Sequence, residues 1–367
     1  MKRNFLKIYI LVYIFFALNS CTTNISNQNS TKNSFNDKII KCIDYTEYNI
    51  GLYPVEIIVP MNQTIAQGLS ILVTDNSGNL IVFDGGRIGD ADYLCDVIKD
   101  KGGIVKYWFI THIHDDHIGA LWQILNSKRT DIVIENLYYD FASFDWYYDK
   151  MGNDAGIYNL FVNAIKDYNE FMKSNKNSII NVLDKPKSNF VFTSDNALLD
   201  DDNKDIDSKV NTEITVEVLN KHYEFDHDPI NNTSIVYMIK IKLGDKNFNM
   251  LILGDLGYEG GKELFNDNFN EIIDNGKRMY SYSVYNLDAK QIIENVDIIT
   301  LSHHGQNGID PELYKKFNPK IIIWPTSKDI YENINNKYYT DDTKASLNSI
   351  DSIKYQILSY METALIR

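Results

Sequence analysis

The chain has 367 residues, of which 44% are hydrophobic and 13% aromatic, and its formal net charge is −14. This length and hydrophobic content fit one large globular domain or two average ones. The acidic surface repels phosphate backbones at long range, and the sequence has no Lys/Arg cluster interleaved with aromatic residues, so we do not expect nucleic acid as a partner. Three cysteines are too few for a disulfide framework or a Cys-rich zinc site.

Residues 1–20 follow the plan of an export signal. A basic start with Lys2 and Arg3 precedes an apolar run over residues 8–18, which is short for a bilayer span. Residues 18–21 resemble a bacterial lipoprotein box, in which Cys21 would carry the lipid anchor. Asn19 departs from the small or aliphatic residue usual at its position, so ordinary signal-peptidase cleavage or retention as an uncleaved helix stays open. We expect an exported protein, either anchored in the membrane or secreted.

Residues 21–40 are mostly Asn, Ser, Thr and Lys and predict a flexible tether. The rest of the chain, residues 41–367, is expected to form one domain with an aromatic-rich insertion around residues 138–210. Cys42 and Cys95 either form a disulfide in an oxidising compartment or remain two buried thiols.

The first half of this domain reads as a β-meander followed by strand, loop and helix. Turn formers separate the apolar runs, and the third run ends in Asp84-Gly85-Gly86. The predicted strands are residues 55–59, 69–74, 79–84 and 105–110, and the predicted helices are residues 91–99 and one that starts near Ile118.

An acidic run over residues 199–208 divides the chain and predicts a solvated loop, since it lacks the ordered spacing of a calcium loop. Before it, an apolar face at helical spacing predicts a helix over residues 157–172. The other predicted helices are residues 311–317 and 340–350, and the other predicted strands are residues 132–139, 214–219, 235–243, 248–253, 296–301, 320–324, 354–359 and 363–366.

The motif Thr-His-Ile-His-Asp-Asp-His-Ile-Gly-Ala occupies residues 111–120, between the strand at residues 105–110 and the helix near Ile118. In an extended backbone His112 and His114 point the same way and can chelate one ion. Asp116 and His117 follow where the chain turns and can address a second ion nearby. The alternative, a polar loop whose histidines only meet water, fits this density of ligands poorly.

The motif resembles the His-x-His-x-Asp-His signature of the metallo-β-lactamase superfamily. The resemblance implies an α/β fold, a four-layer αβ/βα sandwich with two mixed β-sheets flanked by helices, and two metal ions between the sheets. We expect two Zn²⁺, with Mn²⁺ or iron as alternatives. It also implies that Asp84 supports the metal loop and that Asp255, at the end of the strand at residues 248–253, bridges the ions.

The last metal ligand of the family is a histidine at a strand end, which implies either His303 or His304. We favour His303 because it comes first after the strand at residues 296–301, and Gly305 then lets the backbone turn away. The expected ligands are thus His112, His114, Asp116, His117, Asp255 and one of His303 and His304.

One ligand of the family is missing, because Asn232-Thr233-Ser234 stands where another histidine is expected. His222 or His227 could complete the coordination shell of the ion bound by His112 and His114. Alternatively, Asn232 or water could fill that position. This variant, with Asn-Asn-x-Ser, Gly-Asp and Ser-His-His-Gly in that order, resembles the branch that contains competence-related DNA-uptake proteins and secreted phosphorylcholine esterases.

The resemblance implies a hydrolase in which Asp116 and Asp255 are catalytic. Two nearby cations lower the pKa of a shared water, so that a hydroxide nucleophile forms without a separate base. We expect a small-molecule or cell-envelope substrate that is a phosphoester, either a phosphodiester or a phosphorylcholine-type ester. The alternatives are a carbonyl-ester or lactone hydrolase and a non-catalytic envelope binding protein.

The aromatic cluster at residues 138–148 supplies the candidate substrate-binding residues Tyr139, Trp146 and Tyr147. Aromatic faces can hold a quaternary ammonium by cation–π attraction, at about 0.5–2 kcal/mol for a good contact. The alternative is that these rings are ordinary core packing.

Overall fold

A computed structural model describes residues 43–184, 189–199, 205–266, 270–274, 277–283, 290–293 and 296–367. The predicted export signal, the tether, Cys21 and Cys42 lie outside these residues. Cys95 is a buried free thiol. Within the described ranges, no helix combines the length and the apolar character that a membrane span requires.

The strands are short, and most of them lie in one of two large sheets. In chain order they are β1 Thr46–Tyr48, β2 Glu56–Val59, β3 Ile71–Thr74, β4 Leu80–Phe83, β5 Ile104–Val105, β6 Tyr107–Phe109, β7 Val133–Ile134, β8 Asn136–Tyr138, β9 Asn181–Leu183, β10 Asn189–Leu199, β11 Asp205–Val218, β12 Tyr237–Leu243, β13 Lys246–Ile252, β14 Asn270–Asp274, β15 Lys277–Ser283, β16 Lys290–Ile293, β17 Ile298–Thr300, β18 Ile321–Trp324, β19 Tyr355–Leu358 and β20 Ala364–Ile366.

The helices follow the strands of both sheets. They are α1 Ala91–Asp100, α2 Asp115–Asn126, α3 Phe144–Met151, α4 Gly156–Ser174, α5 Tyr258–Gly261, α6 Pro311–Phe317, α7 Lys328–Tyr331 and α8 Thr340–Leu347. A turn of 3₁₀ helix at Asn231–Thr233 and another at Ser302–Gly305 are part of the site described below.

Both large sheets are mixed. The first has the order β1-β20-β2-β3-β4-β6-β8-β9, and the second has the order β10-β11-β12-β13-β17-β18-β19. In each sheet an antiparallel meander leads into strands that pair in parallel, through β4 and β6 in the first sheet and β13 and β17 in the second. The first half of the chain and its last strand thus build one sheet, and most of the second half builds the other.

The two sheets lie face to face, with helices on their outer faces. Ile71 and Phe83 of the first sheet share a buried cluster with Tyr237 and Ile298 of the second. On the outer face of the first sheet, buried residues such as Leu72 pack against α1, α2 and α4, and on the outer face of the second sheet they pack against α6 and α8. This arrangement is the predicted four-layer αβ/βα sandwich with two mixed sheets.

A strand that is apolar at every position is expected to be buried on both faces. The structure shows such burial for β3. Ile71 and Val73 of β3 face the second sheet, while Leu72 between them faces the helices. The predicted meander is therefore correct. The acidic run at residues 199–208 was predicted as a solvated loop, and this is wrong for its described ends, because β10 ends at Leu199 and β11 begins at Asp205. Residues 200–204 lie outside the described ranges.

Candidate metal centre

The histidine motif lies between β6 and α2, at one end of the first sheet. The helix begins at Asp115, three residues earlier than the sequence indicated, so Asp116 and His117 belong to its first turn. Negatively charged side chains stabilise a helix N-terminus because they interact favourably with the positive end of the helix dipole. Asp115 and Asp116 lie in the first turn of this helix. The early start turns the side chains of Asp116 and His117 to the end of the sandwich.

Four residues from both sheets converge there, namely Asp116, His117, Asp255 and His304, and each offers one ligand atom within 4.8 Å of the others. The His304 Nε2 atom lies 3.1 Å from Asp116 Oδ2 and 3.2 Å from Asp255 Oδ2. The His117 Nε2 atom lies 3.0 Å from Asp255 Oδ1. All four residues are buried. We call this the four-residue group.

A second set, His112, His114 and Asp255, meets beside the first. The His112 Nε2 atom lies 3.0 Å from His114 Nδ1 and 3.8 Å from Asp255 Oδ2. Asp255 belongs to both sets, so its carboxylate is placed to bridge two ions. We call this second set the three-residue group.

The chemistry of these side chains fits a divalent metal. His117 Nε2, His304 Nε2 and Asp255 Oδ1 are buried, and none of them has a hydrogen-bond partner within the described part of the chain. Buried polar atoms are normally satisfied, and imidazole nitrogens together with carboxylate oxygens are the usual ligands of zinc. A cation among them would satisfy all three atoms.

Neighbouring charges lower the pKa of two carboxylates of the centre. Burial by itself would raise the pKa of Asp255, but the charges of His117 and His304 outweigh it and hold this pKa well below its usual range. The pKa of Asp116 is lowered in the same way, because His304 and His117 outweigh its burial. Two buried anions that face the same point favour a cation there.

Asp84 orients His117, which is the supporting role that the family resemblance implied. One oxygen of Asp84 accepts the Thr111 backbone N–H at 2.7 Å, and the other lies 2.8 Å from Thr111 Oγ1 and 2.7 Å from His117 Nδ1. Because a carboxylate only accepts, His117 donates from Nδ1 to Asp84, and this contact directs Nε2 to the centre, where a bound metal would take the place of its proton. His304 is held likewise, by a hydrogen bond from Nδ1 to the Pro325 carbonyl at 2.5 Å.

The structure places His304, and not the favoured His303, in the four-residue group. His303 and His304 both have positive φ, 48° and 58°, so the backbone coils sharply after β17 instead of presenting the first histidine. Gly305 permits this approach, since a Cβ there would lie 2.3 Å from Trp324. The Nε2 atom of His303 instead contacts Asn231 Nδ2 at 3.3 Å.

The sequence offered His222, His227 and Asn232 as the missing metal ligand, but each of them is engaged with other residues. His222 pairs with Asp140 at 3.0 Å, and His227 is 80% exposed and pairs with Glu259. Asn232 accepts the Gly260 N–H at 2.9 Å and donates to the His227 carbonyl at 3.0 Å. These contacts hold the loop before β12 in place. Closeness in sequence to the position of the missing histidine therefore did not identify a metal ligand among these three residues.

Sequence reasoning did not single out Asn231 and Asp228 as site residues, although Asn231 contacts His303, the neighbour of the ligand His304. The Asn231 amide donates to Asp228 Oδ1 at 2.9 Å. Burial raises the pKa of the Asp228 carboxyl, against the opposing effect of the hydrogen bond from Asn231. The consecutive asparagines at 231 and 232 stood out in the sequence. Only the packing shows that their side chains make different contacts.

A cleft of about 660 Å³ borders the centre at Asp228 and His303. Three carboxylates line it, those of Asp228, Glu259 and Asp342, and neither Lys nor Arg is among the described residues of its walls. Two of its walls are tyrosines, Tyr258 with 51% and Tyr339 with 64% of their surface exposed. The cleft is therefore acidic and partly aromatic.

The predicted substrate-binding aromatics lie elsewhere. Tyr139 stacks on Phe141 with ring centroids 4.6 Å apart, and Trp146 packs edge-on against Tyr147. Tyr147 is fully buried. These three rings pack in the layer between the first sheet and α4, as the packing interpretation expects, and none of them lines the cleft.

A two-sheet sandwich whose strand ends bring histidines and aspartates together defines a metal-binding protein of the αβ/βα class. Residues 64–205 match the sequence model of the metallo-beta-lactamase superfamily, which confirms the resemblance drawn from the histidine motif. This superfamily consists of hydrolytic enzymes that bind divalent metals, typically zinc. The matched region contains His112, His114, Asp116 and His117.

Solved structures show only distant similarity. A diphosphatase of the PhnP family is 11% identical with a TM-score of 0.32, over 73% of this chain and 85% of that chain. The metallo-β-lactamase GOB-18 from Elizabethkingia meningoseptica is 15% identical with a TM-score of 0.29, over 58% of this chain and 67% of that chain. BJP-1, a subclass B3 metallo-β-lactamase of Bradyrhizobium japonicum, is 16% identical with a TM-score of 0.27, over 51% of this chain and 56% of that chain. The chain thus spans less than two thirds of BJP-1, and no curated protein matches the sequence.

Proposed function

We propose that this protein is a metal-dependent hydrolase that cleaves a phosphoester at a centre for two divalent ions, with Zn²⁺ as the metal. The observation that carries the proposal is the position of Asp255, which belongs to both ligand groups at once. A shared carboxylate at the end of a buried strand is the arrangement that two ions a few ångströms apart require.

When bound, two such ions polarise the oxygen under attack and lower the pKa of a water molecule between them. The residues of the chain do the rest by position and charge. Asp116 and Asp255 supply the negative charge that holds the ions, so they are the proposed catalytic carboxylates. Asp84 keeps His117 in one orientation, so this ligand does not have to reorganise during the reaction.

The cleft supports a substrate whose phosphoryl group is joined to a cation, as in a phosphorylcholine-type ester. Its three carboxylates repel polyanions such as nucleotides, and no described Lys or Arg of its walls would offset the charge of a second phosphate. The exposed faces of Tyr258 and Tyr339 can hold a quaternary ammonium, at about 0.5–2 kcal/mol for each good contact. These two tyrosines take the part that the sequence had suggested for the buried rings.

The signal-like start of the chain supports an exported protein anchored through a lipid on Cys21, with a small-molecule or cell-envelope substrate. Labelling of cells with a radioactive fatty acid tests the anchor. The label is expected on the full chain and should be lost in Cys21→Ser, whereas equal labelling of both proteins would contradict the anchor.

The activity test uses the full chain reconstituted with Zn²⁺ and measured for bound metal by mass spectrometry. Hydrolysis of bis-p-nitrophenyl phosphate and p-nitrophenyl phosphorylcholine is expected, and His112→Ala and Asp116→Ala should lose at least about 100-fold in kcat/KM because electrostatic stabilisation at the centre is removed. Asp92→Ala is the control, since this exposed carboxylate lies outside both ligand groups and outside the cleft.

Three outcomes would contradict the proposal. Protein that binds no metal after careful reconstitution rules out the metal centre. Turnover of lactones, carbonyl esters or β-lactams without turnover of phosphoesters would identify the carbonyl chemistry instead. Two bound ions without turnover of either panel would favour a non-catalytic binding protein.

The substrate class has its own test in the cleft. Tyr258→Ala and Tyr339→Ala are expected to raise KM for p-nitrophenyl phosphorylcholine several-fold, because a cation–π contact is lost, and to leave bis-p-nitrophenyl phosphate nearly unaffected. An equal effect on both substrates would argue against recognition of the ammonium group.

A further inference from the structure

The three-residue group offers one protein ligand fewer than the four-residue group. We infer that the side-chain oxygen of Asn231 is the fourth protein ligand of the ion held by His112, His114 and Asp255. This inference rests on the metal-binding part of the proposed function and does not depend on the substrate.

The first step is the orientation of the Asn231 amide. Its nitrogen donates to Asp228 Oδ1 at 2.9 Å and lies 3.3 Å from His303 Nε2. A carboxylate can only accept a hydrogen bond, so the amide cannot be reversed without placing two oxygens against each other. The contacts therefore fix which end of the amide is the oxygen.

The second step is the state of that oxygen. Asn231 Oδ1 is buried and has no hydrogen-bond partner among the described residues. The neighbouring Asn232 differs, because its oxygen accepts the Gly260 N–H and its nitrogen donates to the His227 carbonyl. A buried amide oxygen without a partner is uncommon in folded proteins, and a bound cation would satisfy it.

The third step is the position of the Asn231–Thr233 turn. Ile235, just after it, donates its N–H to the Thr111 carbonyl at 2.9 Å, directly before His112. Ser234 Oγ accepts the Asp255 N–H at 3.0 Å. The residues just after the turn are thus tied to both segments that carry ligands of the three-residue group, one at Thr111 and the other at Asp255.

The identity of the ligand has a consequence for the two ions. A neutral amide oxygen is a weaker ligand for Zn²⁺ than an imidazole and suits harder ions such as Mn²⁺ better. The ion of the three-residue group is therefore held more loosely than the ion of the four-residue group, and chelator should remove the two in sequence.

The experiment titrates metal-free full-length protein with Zn²⁺ and counts bound ions by mass spectrometry. Wild type is expected to bind two ions in separable steps. Asn231→Ala should bind one ion tightly, with the other weakened by about tenfold or more, the size of effect typical when support for a metal ligand is lost. Asn231→Asp in an Asp228→Asn background keeps an oxygen at position 231 and a donor–acceptor contact between the two side chains, and it should retain two ions.

Asn232→Ala is the matched control, an adjacent residue of the same type whose amide is fully engaged, and it is expected to retain two ions. Circular dichroism of every metal-free variant verifies folding. Unchanged binding of two ions by Asn231→Ala would overturn the inference, and so would the loss of both ions from folded Asn231→Ala. Loss of one ion in Asp228→Ala, but not in Asn231→Ala, would assign the ligand to the carboxylate instead.

The readout separates this inference from the proposed function. Two ions in wild type and one in Asn231→Ala, without hydrolysis of any substrate, would support the ligand and contradict the enzyme. Hydrolysis of phosphoesters by wild type and by Asn231→Ala, with two ions in each, would support the enzyme and contradict the assignment of Asn231 as a ligand.

Discussion

Buried hydrogen-bonding residues, rather than the metal ligands alone, determine the geometry of the centre. Asp84 is fully buried, has a φ of 53°, and joins Thr111 to His117. A residue of this type holds a strained backbone only where its neighbours require it. Asp84 is therefore a positioning residue, because it acts on the ion through His117.

Replacing Asp84 with asparagine tests this role. Asn has the same shape but cannot accept from all three donors, so Asp84→Asn should weaken zinc binding at the four-residue group by about 10–100-fold. A competitive zinc titration measures the change. Asp297→Asn is the control, since this buried carboxylate pairs with Lys320 at the opposite end of β17 and its loss should leave zinc affinity unchanged. Equal zinc affinity in Asp84→Asn and wild type would contradict the role.

The turns that follow the buried strands decide where the ligands lie. Gly254 comes after β13 with a φ of 56°, and a Cβ there would lie 2.8 Å from Thr111. The turn thus brings the second sheet against the histidine loop of the first, directly before Asp255. A side chain at this position would separate the two.

We expect Gly254→Ala to lower both the free energy of unfolding and the zinc affinity. Positive φ costs a non-glycine residue about 1–2 kcal/mol, and overpacking adds about 1–3 kcal/mol. Gly78→Ala is the matched control, because Gly78 also has positive φ but nothing within 4 Å of its added Cβ. Denaturant unfolding should show the smaller loss for Gly78→Ala, with unchanged zinc affinity, and similar losses in both variants would contradict the proposed clash.

His222 and Asp140 connect the loops after β11 and β8, and so join one sheet to the other. Burial by itself would lower the pKa of His222, but the hydrogen bond with Asp140 and the charges of Asp140 and Glu224 outweigh it and raise this pKa. A histidine pKa that is raised in the folded state stabilises the fold fully below the unfolded value of about 6.5, and this contribution disappears as pH rises through the folded value.

The pair therefore predicts a pH-dependent effect of His222→Gln. The difference in Tm between wild type and this variant should be largest below about pH 6.5 and should shrink at higher pH. Thermal melts across the pH range measure it, and in an Asp140→Asn background the pH dependence should be smaller, because only Glu224 then raises the His222 pKa. A difference that is constant with pH would show that His222 contributes only by packing.

The whole molecule brings ligands from both halves of the chain to one end of the sandwich. His112, His114, Asp116 and His117 follow β6 of the first sheet, whereas Asp255 and His304 follow β13 and β17 of the second. Metal bound by both sets cross-links the sheets, and the unfolded chain cannot offer the same arrangement. Metal binding is therefore coupled to folding of the entire domain.

The corresponding prediction concerns thermal stability. Zinc at 100 times its dissociation constant should stabilise the fold by about 2.7 kcal/mol for each site, which corresponds to a rise in Tm of at least several degrees. Differential scanning calorimetry with and without a chelator measures it. The Asp116→Ala/His304→Ala variant is the control and should respond much less to zinc. An equal response of both proteins would place the stabilising ion elsewhere.

The local parts of this protein could be predicted because they depend on short stretches of chain. The period of the apolar residues placed β2, β3 and β4, and the spacing of the histidines after β6 indicated a metal site. The family resemblance, together with the strand end before Gly254, indicated Asp255. The family resemblance then supplied the two-sheet architecture, which the structure confirms.

The remaining assignments depend on contacts between segments that are distant in sequence. The sequence alone determined that a histidine loop follows one buried strand and that further ligands follow two others. Only the tertiary structure decided that His304 and not His303 faces Asp255, that Asn231 and not Asn232 has a free oxygen, and that Tyr258 and Tyr339 line the cleft while Tyr139 and Tyr147 are buried. A rotation of the backbone within one turn changes which of two neighbouring side chains faces the centre. Packing against the opposite sheet selects the rotation, and no local sequence pattern encodes that packing.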